Sequence, residues 1–237
     1  MITKATKSLT NCDFQSGEFI LIDKPQYWSS FKAVHKVRNA ISEKKVGHAG
    51  TLDPLATGLL IIGTGKKTKT ITQFQEMPKT YAGIFTLGKT SPSMDTETTP
   101  VDHAIPETVN EEMILKIKQL FVGKITQTPP MYSAVKVKGK SLYAYARKGK
   151  IVERSEREVF IYNFKINKID IPYIHFEITC SKGTYIRVLA NDFGQKLGCG
   201  AILSSLRRTR IGEYSVDDAL TIEEFVNLVK ADKLVLN

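Results

Sequence analysis

The run Gly47-His48-Ala49-Gly50-Thr51-Leu52-Asp53-Pro54-Leu55-Ala56-Thr57-Gly58 is the densest in turn residues and in chemistry. Its glycines, its proline and its two threonines predict a tightly turned loop. His48 and Asp53 are its only side chains with strong acid–base or nucleophilic chemistry. The loop feeds Leu59 to Ile62, a short apolar run between glycines that reads as a buried strand. A rigid functional loop is usefully anchored on such a strand. An aspartate carboxyl ordinarily titrates at about 3.9, so Asp53 is ionised at neutral pH and suits a nucleophile or general base. Composition alone also allows Asp53 to be a turn-capping residue.

Working outward, Phe19 to Ile22 is an apolar strand ended by Asp23-Lys24-Pro25. Ser29 caps a helix with Phe31, Val34, Val37 and Ile41 on one stripe. Tyr81 to Leu87 alternates with the period of a strand. Pro92 to Pro106 is Thr-rich and acidic and reads as a loop. Helices are predicted over Glu111 to Phe121 and Tyr185 to Leu197. Phe160 to Ile166 and Ile174 to Cys180 read as an antiparallel pair. Thr221 and Glu224 form a capping box for a last helix through Val229. The elements lack a regular βαβ rhythm, so the expected class is α+β. No repeat, linker or domain boundary stands out, which predicts a single domain over residues 1–237 with residues 124–150 as an excursion from it.

The 237 residues carry 34 Lys+Arg against 24 Asp+Glu, a net charge of +10. A hydrophobic content of 42% and a charged content of 24% exclude global disorder. No stretch approaches the ~18 apolar residues of a membrane span, and the N-terminus has no signal-peptide core. Cys12, Cys180 and Cys199 show neither pairing nor metal-ligand spacing, which predicts a reducing cytoplasm. The positive charge is segregated. No acid falls between Glu112 and Glu153, nor between Asp23 and Glu43, nor between Asp192 and Glu213. Conversely, no Lys or Arg falls between Asp95 and Glu112. This pattern predicts a basic face for a polyanion and disfavours a membrane-surface role.

Three further segments fit an RNA partner. Gln127 to Lys136, followed by Tyr143 and Arg147, interleaves rings for stacking with cations for phosphates. Cys180-Ser181-Lys182-Gly183-Thr184-Tyr185-Ile186-Arg187 ends a strand and opens a helix. An arginine there opposes the helix dipole and is more comfortable beside a carboxylate. Leu206-Arg207-Arg208-Thr209-Arg210 reads as a phosphate clamp. Gly63-Thr64-Gly65-Lys66-Lys67 lacks the first glycine of a phosphate loop, and the four histidines lack zinc spacing.

The loop at 47–58 resembles the signature loop of the TruB family of tRNA pseudouridine synthases. The resemblance runs from about Gly17 to Glu213 and includes, in order, Asp23-Lys24-Pro25, Lys79-Thr80-Tyr81, Leu87-Gly88, Asp95, Pro129-Pro130-Met131-Tyr132-Ser133-Ala134, Gly183 to Arg187 and Leu206 to Thr209. It implies the pseudouridine synthase fold, a mixed and mostly antiparallel sheet flanked by helices, with residues 124–150 as a thumb-like RNA-binding insertion. It also implies isomerisation of uridine 55 in the TΨC arm of tRNA to pseudouridine, by base flipping and by breaking and rejoining the glycosidic bond, with no metal or organic cofactor. By the resemblance, Asp53 is the catalytic aspartate, Tyr81 stacks on the uracil and Arg187 pairs with the catalytic carboxylate. His48 holds the loop after base extrusion, Tyr185 and Leu206 line the uracil pocket, and Lys24 with Pro25 supports the site. The order of attack by Asp53, on the anomeric carbon, on the uracil ring or as a base, stays open.

Two departures from the family pattern stand out. Tyr27 and Ser29 stand where the family has Gly and Thr, which predicts an altered turn. The chain also ends where longer members continue into a PUA-type RNA-binding module, so tRNA grip is expected from the catalytic domain and thumb. The expected partner is tRNA, with no membrane and no obligate protein subunit, and nothing requires more than a monomer. The alternatives are an RNA-binding or tRNA-folding chaperone of the same fold and a guide-dependent relative. A glycoside hydrolase is disfavoured because the loop offers no second acid beside Asp53.

Overall fold

The computed structural model describes residues 1–235. In chain order the elements are β1 (Phe19–Lys24), α1 (Ser30–Ile41), β2 (Val46–His48), β3 (Thr57–Thr64), α2 (Thr72–Glu76), β4 (Lys79–Leu87), β5 (Lys89–Thr90) and β6 (Val101–Asp102). They continue as α3 (Glu111–Gln119), β7 (Gly123–Gln127), β8 (Lys136–Val137), β9 (Lys140–Ser141), α4 (Leu142–Ala146), β10 (Arg157–Asp170) and β11 (Tyr173–Cys180). The last are α5 (Ile186–Lys196), β12 (Ala201–Ile211), β13 (Tyr214–Ser215), β14 (Leu220–Thr221) and α6 (Ile222–Val235). The fold is α+β, with mixed and mostly antiparallel strand pairing. No helix among the described residues is long and apolar enough to cross a membrane. The chain divides into two compact units, Met1–Tyr81 with Leu206–Asn237, and Ala82–Ser205. Strands β4 and β12 each run from one unit into the other.

In the first unit the strand order is β14-β1-β3-β12. β1 pairs antiparallel with β3, placing Ile22 opposite Leu60 and Lys24 opposite Gly58. Both strands read as unbroken apolar runs because both faces of the sheet are covered. Ile20, Ile22, Leu60 and Ile62 meet Ala33, Val34 and Val37 of α1 and Phe225 and Val229 of α6. Leu21, Leu59 and Ile61 point the other way, into a cluster with Ile71, Phe74 and Ile211. The Ser29 hydroxyl accepts from the Lys32 N–H at 3.0 Å, so α1 starts where its cap predicts. The Thr221–Glu224 capping box is made in both directions, at 2.8 and 3.1 Å.

In the second unit the order is β12-β4-β11-β10-β7. β10 and β11 form the expected hairpin, with Phe164 opposite Ile178 and Ile166 opposite Phe176. Phe85, Phe164, Phe176 and Phe193 build an aromatic core, with Phe85 and Phe176 centroids 4.3 Å apart. The other face of β10 leaves Phe160 and Tyr162 exposed, the alternation of a one-sided sheet.

The basic excursion starts later than its charge pattern predicts. Lys124 to Gln127 belong to β7, where Lys124 pairs with Phe160 and Gln127 with Arg157. Beyond Gln127, β8 and β9 close a hairpin through Lys138 and Gly139, whose φ angles of 50° and 79° are both positive. A two-residue loop of that kind matches the twist of its strands. Leu142, at the start of α4, is fully buried.

Candidate active site

The signature loop is fixed from beneath by a buried arginine. Arg208 is 1% exposed. Its Nε donates to the Leu59 carbonyl at 2.7 Å and its Nη2 to the Gly50 carbonyl at 3.1 Å. β12 runs parallel to β3 with Arg208 beside Gly58. Gly58 has φ 102°, and a Cβ there would lie 2.3 Å from the Arg208 carbonyl oxygen, so only glycine fits this crossing.

The backbone on either side of Asp53 is pinned from α1 and its preceding turn. The Ser30 hydroxyl donates to the Leu52 carbonyl at 3.0 Å and accepts from the Leu52 N–H at 2.8 Å. The Tyr27 N–H donates to the Pro54 carbonyl at 2.7 Å, and the Ala56 N–H to that of Asp53 at 3.1 Å. The half-exposed Asp53 carboxylate is thus presented from a backbone held on both flanks, the preorganisation a reactive group needs. His48 pairs with Ile62 at the loop's entry. Burial, and then the Arg208 cation, push its pKa below the usual histidine value, so the ring is neutral at neutral pH.

Lys24 is fully buried. Its Nζ donates to the carbonyls of Pro25 at 3.0 Å and Trp28 at 2.6 Å, tying the end of β1 to the turn before α1. Burial lowers its pKa to about 8, against the opposing pull of the Asp53 and Asp23 carboxylates. This placement serves the frame of the loop. The turn keeps a conformation that glycine favours, because Tyr27 itself adopts φ 62° with its ring 73% exposed. Arg207 makes two bonds to Asp23, at 2.6 and 2.9 Å. The three-arginine clamp read from sequence therefore resolves differently: Arg208 is interior, Arg207 is paired and Arg210 is exposed. Tyr81 and Leu206 are half-buried at the ends of the first unit's segments of β4 and β12.

The second unit carries Arg187 and Tyr185. Arg187 is 3% exposed and opens α5. Its Nη1 lies 3.6 Å from the Asp95 carboxylate and donates to the Ser93 carbonyl at 3.3 Å, and its Nη2 donates to that of Tyr132 at 2.8 Å. Asp95 had no assigned role in the sequence. Tyr185 is held through its backbone by Gln127, whose amide donates to its carbonyl at 3.2 Å and accepts from its N–H at 3.0 Å. The Arg157 guanidinium stacks 4.3 Å from the Tyr185 ring centroid. Arg157 and the role of Gln127 escaped the sequence: the strand is expected to begin at Phe160, whereas β10 begins at Arg157.

On the excursion, Lys136, Lys138, Lys140, Arg147, Lys148 and Lys150 are exposed. The Tyr132 and Tyr143 rings meet edge-on at 5.8 Å, and Arg147 lies 4.7 Å over Tyr143. The Tyr143 hydroxyl donates to the Glu97 carboxylate.

A family model described as TruB family pseudouridylate synthase, N-terminal domain, matches residues 38–186, and one described as the tRNA pseudouridylate synthase B C-terminal domain matches residues 187–235. The chain belongs to the TruB family. Among curated TruB-family relatives, the tRNA pseudouridine synthase B of Flavobacterium johnsoniae is 47% identical over 92% of this chain and 98% of that protein. That of Chloroherpeton thalassium is 44% identical over 92% of this chain and 93% of its own. Among solved structures, a chain from a Cbf5-Nop10-Gar1 complex aligns at TM-score 0.71 and 28% identity, covering 92% of this chain and 56% of that one. The chain therefore spans about half the length of that solved protein. Membership of the family makes the protein an isomerase that forms pseudouridine.

Proposed function

We propose that this protein converts uridine 55 in the TΨC arm of tRNA to pseudouridine, with Asp53 as the catalytic carboxylate and no metal or organic cofactor. The observation that carries the reading is the backbone of the signature loop, bonded at Leu52 and Pro54 on either side of Asp53. The target base lies in a folded RNA loop, so it must be flipped out at a cost of a few kcal/mol. Stacking of the uracil on Tyr81 returns ~1–3 kcal/mol of that cost. Asp53 then drives the break of the glycosidic bond, the uracil turns, and the new bond forms through carbon 5. Arg187 supplies the cation that keeps the carboxylate ionised once bound RNA excludes water, where an unpaired carboxylate tends to protonate. Tyr185 and Leu206 contact the uracil, and the neutral His48 fills in behind the extruded base. The exposed lysines of the excursion hold phosphates of the T arm. The protein acts as a monomer in the cytoplasm.

The test is tritium release from tRNA carrying 5-tritiated uridine. Asp53→Asn is expected to abolish release while tRNA binding survives; retained turnover excludes Asp53 as the catalytic carboxylate. Pseudouridine mapping of the tRNA product then checks position 55.

A further inference from the structure

One rung of the second unit's sheet converges on Tyr185. Gln127 of β7 and Arg157 of β10 stand directly opposite each other in the antiparallel pair. Residues so placed share a face of the sheet and can reach the same neighbour. That neighbour is Tyr185, in the turn that opens α5. The buried Gln127 amide holds its backbone through both the N–H and the carbonyl. Arg157 takes its side chain. The Arg157 Cζ lies 4.3 Å from the ring centroid, inside the ~6 Å at which a cation is drawn to an aromatic face. The guanidinium also rests on the turn itself, where a Cβ at Gly183 would lie 3.5 Å from Nη1.

The Nε and Nη2 of Arg157 are buried and meet no hydrogen-bond acceptor among the described residues. Buried donors in native proteins are nearly always paired, so this arrangement calls for an explanation. Arg187 and Arg208 engage carboxylates or carbonyls. Arg157 is instead committed to a ring. We propose that Arg157 is a positioning residue for the uracil pocket, fixing the plane of the Tyr185 ring before the flipped base arrives. This role rests on the reading that Tyr185 contacts the uracil. The outer torsion of an unconstrained tyrosine is broad, so a ring of fixed backbone still samples many planes. A cation held against its face narrows that range. Ordering the ring in advance spares the bound base that task, which bears on the reaction step more than on the grip of the RNA.

Single-turnover tritium release from tRNA carrying 5-tritiated uridine and equilibrium tRNA binding are measured on the full-length protein. Arg157→Met is expected to lower the rate at saturating enzyme about tenfold, while the tRNA dissociation constant changes less than about twofold. Arg157→Gln repeats the test should circular dichroism show the first variant misfolded. Arg157→Lys, which keeps a cation for the ring, is expected to retain more of the rate than either. In a Tyr185→Ala background, Arg157→Met is expected to lower the rate no further, because the residue it acts through is gone. Additive losses in that double variant, an unchanged rate in the neutral Arg157 variants, or no rescue by lysine overturns the proposal. So does a dissociation constant raised as much as the rate is lowered, which makes Arg157 a direct RNA contact. Tyr185→Ala alone tests the underlying reading: an unchanged rate there removes Tyr185 from the pocket. A lowered rate there, with native rates in the Arg157 variants, refutes the role of Arg157 only.

Discussion

The signature loop and the basic excursion both draw on the chain's positive charge, and they use it in opposite ways. Around the loop two cations face inward. Arg208 bonds two carbonyls and Lys24 bonds two more, while the half-exposed Arg207 grips Asp23. On the excursion Lys136, Lys138 and Lys140 face water, while Leu142 is buried and the Tyr132 and Tyr143 rings meet edge-on. A net charge of +10 is therefore not a surface charge of +10. Part of it is internal framework for a reactive loop, and part is a polyanion grip. Buried donors that satisfy carbonyls cost several kcal/mol to remove, whereas exposed lysines contribute little to folding and much to salt-dependent binding.

The sharpest way to break this contrast is Arg208→Met. It keeps much of the volume but strips two carbonyls of their donor inside the protein. Hydrogen bonds to charged groups contribute ~1.5–3 kcal/mol each, so a loss of about 3 kcal/mol or more is expected in urea unfolding. A loss below ~0.5 kcal/mol, the range of surface substitutions, places Arg208 functionally with the excursion instead.

Lys24 gives a pH signature of the same framework. Its ammonium faces the Asp53 and Asp23 carboxylates and the Arg208 cation, and burial holds its folded pKa at about 8 against 10.5 in the unfolded chain. Between these values the unfolded state binds more protons, so stability contributed by this group rises as pH increases. Below pH 8 the penalty of burying the charge is fully present, and above 10.5 it is gone. The stability difference between the native protein and Lys24→Met is expected to change by a few kcal/mol across that window, in favour of the native protein at high pH. A difference that is flat with pH shows that Lys24 is not desolvated in solution.

The exposed set is tested by Lys136→Ala, Lys138→Ala and Lys140→Ala together. Stability is expected to stay within ~0.5 kcal/mol of the native protein. The dissociation constant for tRNA is expected to rise about tenfold at moderate salt, and the slope of log K against log salt to fall by ~1–2. Single-turnover rate at saturating enzyme is expected to change less than affinity; the reverse result assigns the segment to the chemical step.

How legible each region was follows from how local its determinants are. Ser29 capping α1, the Thr221–Glu224 box and the β10–β11 alternation depend on residues within a turn or a strand, and all were readable. The signature loop was readable as a reactive turn because Asp53 and His48 stand in one short segment. What holds that loop was not. Arg208 reaches carbonyls 149 and 158 positions away, and Gln127 reaches Tyr185 across 58. Such contacts have no periodicity, and a run of arginines reads as surface on composition alone. The excursion's charge was plain, but its start was displaced because the basic pattern continues through β7, whose Lys124 instead pairs with Glu158.

The smallest expected effect concerns the turn that joins the two halves of the loop's framework. Tyr27 occupies the left-handed region at φ 62°, where a side chain costs ~1–2 kcal/mol relative to glycine. Its ring is largely exposed, so little burial opposes the strain, and the bond from its N–H to Pro54 needs no side chain. Glycine loses more unfolded-chain entropy on folding, which cancels roughly 0.5–1 kcal/mol of the relief. Tyr27→Gly is therefore expected to stabilise the protein by about 0.5–1 kcal/mol in urea unfolding, with unchanged turnover. Tyr27→Ala, which keeps a Cβ at the same φ, is expected to give none of that gain. If Tyr27→Gly instead destabilises, the exposed ring is bearing on the turn through contacts that burial does not register, and the loop's framework extends further toward solvent than its buried cations indicate.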